Sequence, residues 1–213
     1  MANMGMVTAV SWGATEIFFA FVMWTVMMVG MMTAPAAPVL LLFARTHSAR
    51  AEGGVSLPVL LFGLGYITVW VGFSVCAALT QWALHEAALL SPAMSASSPY
   101  LAGAILIAAG LYQMTPLKGA CLTQCQSPLG FLMGNWRGGN GGAFMMGLHH
   151  GVYCLGCCWA LMLVLFAVGV MNLAWVEVLA ALILVEKIGP SGALVSRIGG
   201  AIMIALGFFS MSM

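Results

Sequence analysis

The sequence predicts an all-α membrane protein, a polytopic bundle of helices that crosses the bilayer several times. Of its 213 residues 63% are hydrophobic and only 5% are charged, and the mean hydropathy is +1.08. So few charges cannot cover the surface of a water-soluble globule. Six apolar segments and a one-sided distribution of basic residues support the same fold class. The formal net charge of +1 excludes the basic surface that nucleic-acid binding needs.

Most apolar segments approach the roughly 20 residues with which a helix crosses the hydrocarbon of a bilayer. The first is predicted to end near Pro35 and Pro38, because proline interrupts helical hydrogen bonding. The third is short and can take a turn from either flank. The length allows one compact bundle, so we expect a single transmembrane domain over residues 1–213. The predicted spans are 12–33, 57–84, 100–114, 142–168, 173–188 and 194–210.

All six basic residues lie in alternate connections between these segments or within four residues of them. Basic loops stay on the cytoplasmic side, so both termini are predicted on the outer, periplasmic side of a bacterial inner membrane. The first residues, MANMGMVTAVSWGATE, lack a basic n-region and are interpreted as mature protein, not a cleaved signal. The basic residues are Arg45, Arg50, Lys118, Arg137, Lys187 and Arg197.

The stretch HHGVYCLGCCWALM carries a dense group of imidazoles and thiols. At about 100° per residue, a helix places His150, Cys154 and Cys157 within about 60° of one another, with Cys158 flanking them and His149 turned away. His150 and Cys157 are about 10 Å apart in helix rise. One ion can therefore use only close pairs, such as His150 with Cys154, or Cys154 with Cys157 or Cys158. We expect these cysteines at the cytoplasmic start of the fourth span, where thiols stay reduced.

A second pair of thiols lies in the preceding connection, KGACLTQCQSP, where Cys121 and Cys125 are four residues apart. Together the two groups can supply three or four soft ligands, and thiolate-rich ligation selects Cu(I), Zn or an iron–sulfur cluster. A buried cysteine can also simply pack as a small hydrophobic residue, which is our interpretation of Cys76. The density of the other five cysteines favours a metal site, with copper ahead of zinc.

Several stretches carry a family resemblance: YQMTPLKGACLTQCQSPLGFL, NWRGGNGGAFMMGLHHGVYCLGCCWALMLVLFAVGVMNLAW, EKIGP and MWTVMMVGMMTAPAAP. They resemble a bacterial domain-of-unknown-function family described as predicted metal-binding integral membrane proteins. The resemblance spans most of the chain and is densest from Tyr112 to Gly189, although Gln126 stands where such proteins are expected to have a basic residue. It implies a small, metal-binding helical protein of the inner membrane, and it implies no reaction.

A candidate second metal site lies on the predicted outer side. Glu16 falls in the first segment, Glu177 near the start of the fifth and His85 at the end of the second. An acid inside a membrane span usually faces the bundle interior with a partner, so the three side chains are expected to converge. The alternative is a set of interfacial side chains that share no ligand.

Methionine forms a stripe on the first segment, where Met23, Met27 and Met31 follow one another at intervals of four. Thioethers can bind Cu(I), which would connect an outer site to the inner thiols. Methionine is also an adaptable packing residue, and packing is the simpler interpretation of the stripe. Glu186 and Lys187 are interpreted as anchors at the inner interface.

Three functions remain. The first is the handling of a soft ion, with copper favoured over zinc. The second is an accessory or structural subunit of a larger membrane complex, with or without a metal or a haem held by His149 or His150. An enzyme has least support, because the chain has no Asp and no phosphate-binding or Ser–His–acid motif. The expected partners are the lipid bilayer and, for the second function, subunits of a membrane enzyme complex.

Overall fold

The computed structural model describes residues 12–49, 55–91 and 94–212. Arg50 and residues 1–11 of the N-terminal stretch, on which part of the topology prediction rests, lie outside the described residues. Within the described ranges the regular structure is helical, apart from an isolated bridge between Leu90 and Ala96. The helices are α1 (Ala14–Ala49), α2 (Ser56–Glu86), α3 (Pro99–Gln113), α4 (Pro116–Gln126), α5 (Pro128–Asn135), α6 (Gly139–Val168), α7 (Leu173–Ile188) and α8 (Gly192–Ser212).

Helix α1 continues through both of its prolines and ends only at Ala49. The predicted end near residue 33 is therefore wrong. Prolines are tolerated inside apolar helices where neighbouring groups hydrogen-bond to the disturbed backbone. Here the Tyr66 hydroxyl on α2 donates to the Met32 carbonyl oxygen at 3.0 Å, in the turn that precedes Pro35.

The other five predicted segments correspond to α2, α3, α6, α7 and α8, with ends that differ by at most three residues. The connection before α6 folds into two further helices, α4 and α5. Thr115 caps α4, because its side chain accepts a hydrogen bond from the Lys118 backbone N–H at 3.3 Å. Pro116 and Pro128 occupy the first positions of α4 and α5, where the missing N–H costs nothing.

Within the described residues, four helices are long and apolar enough to cross a membrane: α1, α2, α6 and α8. The pair α3 and α4 would add a fifth crossing if it forms one broken span, and its two helices are bent by 63°. Helix α7 has 16 residues and falls short of that length. The six-span arrangement and the outer position of both termini stay predictions.

Helix α6 is the centre of the packing. In an apolar stretch of 18 residues of α6, 56% of the residues are buried, whereas the corresponding stretches of α1, α2 and α8 are each 28% buried. Glycines let α2 approach it closely: a Cβ added to Gly147 would overlap the Phe62 carbonyl oxygen, and one added to Gly65 would overlap the Phe144 carbonyl oxygen. This close contact between α2 and α6 brings Tyr66 against the cysteines of α6.

Candidate metal centre

Helix α4 packs on α6 and brings a thiol from each helix together. The Sγ atoms of Cys125 and Cys157 are 3.9 Å apart, and both side chains are buried. Cys154, one turn earlier on α6, is buried as well. We call Cys125, Cys154 and Cys157 the thiol cluster. The structure thus places side by side two stretches that the sequence presented as separate pairs.

Cys154 has two polar neighbours from other helices. The Lys187 ammonium of α7 donates to its Sγ at 2.7 Å, and the Tyr66 hydroxyl of α2 lies 3.0 Å from the same atom. A cation beside a sulfur favours the thiolate, which is the form that binds metals. The thiol cluster therefore lies between α4 and α6 and is contacted by α2 and α7. The positive charge beside it comes from Lys187 of α7.

The remaining cysteines take different positions. Cys158 is buried and its Sγ donates to the Cys154 carbonyl oxygen at 2.8 Å, as Cys157 does at 3.1 Å. Cys121 is half-buried one turn before Cys125, and a Cβ added to Gly156 would lie 2.8 Å from its Sγ. Cys76 is exposed on α2, so it does not pack in the interior as we expected.

His150 is buried among aromatic rings. The centroid of its imidazole lies 5.0 Å from that of Phe131, 5.8 Å from that of Tyr66 and 6.3 Å from that of Phe62. Its Nδ1 is buried and has no hydrogen-bond partner among the described residues. His149 is half-buried on the adjacent face. A role for either histidine as a ligand stays a prediction.

A buried ion pair lies beside the thiol cluster. Its acid is Glu186, the residue before Lys187 on α7. The Lys118 ammonium of α4 lies 2.7 Å from Glu186 Oε2, and Gln113 of α3 donates to Glu186 Oε1 at 3.1 Å. The Gln126 side chain donates to the Glu186 backbone carbonyl at 2.7 Å. These contacts fix the end of α7 and so position Lys187. The interpretation of Glu186 and Lys187 as interface anchors is wrong, because both are buried.

The cysteines of α6 lie farther from the start of the helix than expected. Helix α6 begins at Gly139, so Cys154 follows its start by about 22 Å of helix rise and precedes its end at Val168 by about 21 Å. The thiol cluster is therefore level with the middle of α6. The expected position at the start of the fourth span is wrong, because the predicted segment 142–168 already centres on residue 155 and α6 begins only three residues before that segment.

The three residues of the candidate outer site engage different neighbours. The Glu16 side chain is exposed and accepts a hydrogen bond from the Gly13 N–H at 2.9 Å. The His85 ring stacks on Trp12 with centroids 4.9 Å apart. Glu177 is exposed at the start of α7, beside a cavity against α1. Their convergence on one ion stays a prediction.

The described residues contain no group of three or more His, Cys, Asp or Glu side chains arranged to hold a metal ion. Two thiolates are enough for Cu(I), which accepts two sulfur ligands. With metal–sulfur bonds of about 2.3 Å, two sulfurs on one ion are at most about 4.6 Å apart. The 3.9 Å between the sulfurs of Cys125 and Cys157 falls within that reach. The donor set therefore fits a soft monovalent ion.

Sequence reasoning missed the two side chains that contact Cys154 from outside. Tyr66 carried no signal, because one tyrosine in an apolar helix is common. Lys187 carried a signal, since it is one of six basic residues in the chain, but its position near a predicted span end suggested an interface.

A family model described as a copper chaperone, PpoB2, matches residues 21–210. The chain belongs to this copper chaperone family. The matched range includes every cysteine and leaves out Glu16. The expected relation to a metal-related family is confirmed, and the family description supports a role connected with copper. No curated protein and no solved structure gives a significant match.

Proposed function

We propose that this chain is a copper chaperone of the bacterial inner membrane, which binds Cu(I) at the thiol cluster and passes it to an apo-protein. The observation that carries the proposal is the pair Cys125 and Cys157, whose sulfurs meet at 3.9 Å across α4 and α6. Thiolates select Cu(I) over hard ions. The apolar helices suit a multi-pass position in the bilayer, with the basic connections inside.

Lys187 gives the thiol cluster its charge balance. Two thiolates with one Cu(I) carry a net charge of −1, which is costly to bury in an apolar interior. The ammonium of Lys187 supplies the compensating charge from within the cluster, where it lies 2.7 Å from Cys154 Sγ. In the metal-free state the same ammonium stabilises the Cys154 thiolate. Lys187 is thus a positioning and charge-balancing residue, and the sulfurs are the ligands.

Cys121 offers a route for release. It lies one turn from Cys125 on α4 and is half-buried, whereas Cys125 is buried. Copper can move between sulfurs by ligand exchange, in which an incoming thiolate binds before an outgoing one leaves, without any change in oxidation state. The more exposed thiol therefore suits the transfer of copper to a partner's ligands.

The test is retention of Cu(I) by the purified protein against a chromogenic Cu(I) chelator under anaerobic conditions. We expect wild type to retain about one equivalent at the thiol cluster, and Cys125→Ser and Cys157→Ser to bind it at least tenfold more weakly, which is about 1.4 kcal/mol. The reason is that each variant removes one of two thiolates.

Two controls match these variants. Cys158→Ser alters an equally buried thiol of α6 that donates to a backbone carbonyl, and Cys76→Ser alters an exposed thiol. Both should bind Cu(I) as wild type does, with an unchanged melting temperature for Cys76→Ser. Equal affinity in Cys157→Ser and Cys76→Ser contradicts the proposal. Co-purification of a fixed set of partners, independent of copper, would support a structural subunit instead.

A further inference from the structure

A cavity of about 730 Å³ lies between α1 and the start of α7. We call it the methionine groove, because thioethers form much of its wall. The stripe on α1 provides one side, and the turn between α6 and α7 provides the other. Its sulfur-bearing and charged lining residues are Met23, Met27, Met31, Met171 and Glu177.

The methionines of α1 divide into two sets. Met28 and Met32 are fully buried in the core of the bundle. The stripe of the groove, in contrast, faces the cavity, and its first two members, Met23 and Met27, are only half-buried. Packing therefore explains the first set and the burial of Met31, whereas Met23 and Met27 pack against the core and leave part of each side chain at the cavity.

The opposite wall is held in place by the turn after α6. Gly169 has a φ of 102°, which a residue with a side chain rarely adopts. The turn is fixed by hydrogen bonds from the Gly169 N–H to the Leu165 carbonyl oxygen at 2.8 Å and from the Asn172 N–H to the Gly169 carbonyl oxygen at 3.1 Å. Met171 is 65% exposed on this turn. The backbone of the turn is thus fixed, while the Met171 side chain can change its rotamer.

We propose that the methionine groove is a second, weaker site for Cu(I), which takes up the ion before it reaches the thiol cluster. Thioethers are soft ligands that bind Cu(I). Residues four apart are neighbours on a helix face, and methionine has enough rotatable bonds for two sulfurs to approach one ion. The exposed Glu177 carboxylate attracts a cation to the groove. This inference rests on the proposed copper function.

The groove adjoins the thiol cluster along the chain and across the helices. Met31 lines the groove, and the next residue, Met32, accepts the hydrogen bond of the Tyr66 hydroxyl. The same hydroxyl lies 3.0 Å from Cys154 Sγ. The Tyr66 hydroxyl therefore contacts both the backbone next to Met31 and a sulfur of the cluster. Neutral thioethers bind more weakly than thiolates, so an ion is expected to move inward.

The test uses Ag(I), a redox-inert probe for soft monovalent sites, with the full chain in detergent. Ag(I) also binds free thiols, so the groove is measured in a variant with all six cysteines changed to Ala. We expect this variant to keep one weakly bound equivalent that wild type binds in addition to those at its thiols. Adding Met27→Leu/Met31→Leu to that variant should weaken the remaining binding at least tenfold, whereas Met28→Leu/Met32→Leu should leave it unchanged. Leucine keeps the volume of methionine and removes the sulfur.

The outcomes separate the two proposals. If the remaining Ag(I) binding is the same with Met27→Leu/Met31→Leu as with Met28→Leu/Met32→Leu, the groove is not a metal site, and the thiol cluster is unaffected. Loss of all binding on removal of the six thiols also overturns the groove. Binding that depends on Met27 and Met31, with no effect of the cysteine substitutions, supports the groove and contradicts the proposed function of the cluster.

Discussion

The thiol cluster and the methionine groove both present sulfur, yet they differ in burial, charge and support. The cluster is buried and is contacted by Lys187 and Tyr66 from two other helices. The groove is open, its ligands are neutral, and its one charged residue, Glu177, is exposed. An enclosed, charge-balanced site suits tight holding, whereas an open thioether site suits uptake. The two regions therefore differ by their position in the bundle more than by the number of their sulfurs.

The largest loss of stability is expected when the buried ion pair beside the thiol cluster is broken. Lys118→Met leaves the Glu186 carboxylate without its cation, and loss of one partner of a buried pair costs about 3–5 kcal/mol of unfolding free energy. Reversible unfolding in mixed detergents measures it. Arg197→Met, which removes an exposed charge, should change the unfolding free energy by less than about 0.5 kcal/mol. Equal losses in both variants would mean that the pair does not hold α4 to α7.

A smaller loss of stability is expected on substitution of Tyr66, which lies between the two regions. Tyr66→Phe removes the hydroxyl that reaches both the Met32 carbonyl and Cys154, so the unfolding free energy should fall by about 1–2 kcal/mol. Transfer of Ag(I) from groove to cluster should also change its rate, which stopped-flow mixing can follow. Tyr100→Phe is the matched control, because Tyr100 is 69% exposed. A Tyr66→Phe protein as stable as Tyr100→Phe would show that the hydroxyl supports neither region.

Hydropathy was sufficient to predict most of the helices. Apolar length sets the ends of α2 and α7, because few residues other than apolar ones occur inside them. It failed at α1, where the helix continues past Pro35 and the Tyr66 hydroxyl of α2 donates to the Met32 carbonyl oxygen. Hydropathy also did not predict α4 and α5, because a short polar helix such as α4 has few apolar residues.

The sequence indicated the cysteines of the candidate site and not their surroundings. Spacing on one helix could show that Cys154 and Cys157 share a face, but the approach of Cys125 depends on the 63° bend between α3 and α4. The contact of Lys187 with Cys154 depends on how α7 is rotated against α6. Such rotation is fixed by the Lys118–Glu186 pair and by Gln126, whose partners lie far away in the sequence.

The central claim is that Cu(I) binds to the sulfurs of the thiol cluster. Copper K-edge X-ray absorption of the Cu(I)-loaded Met27→Leu/Met31→Leu protein tests it most directly, because this variant keeps the cluster and lacks the stripe sulfurs. We predict a first shell of sulfur only, at about 2.2–2.3 Å, which loses one sulfur when Cys157→Ser is added. A first shell of nitrogen or oxygen, or a sulfur shell that Cys157→Ser leaves unchanged, would contradict the proposed function.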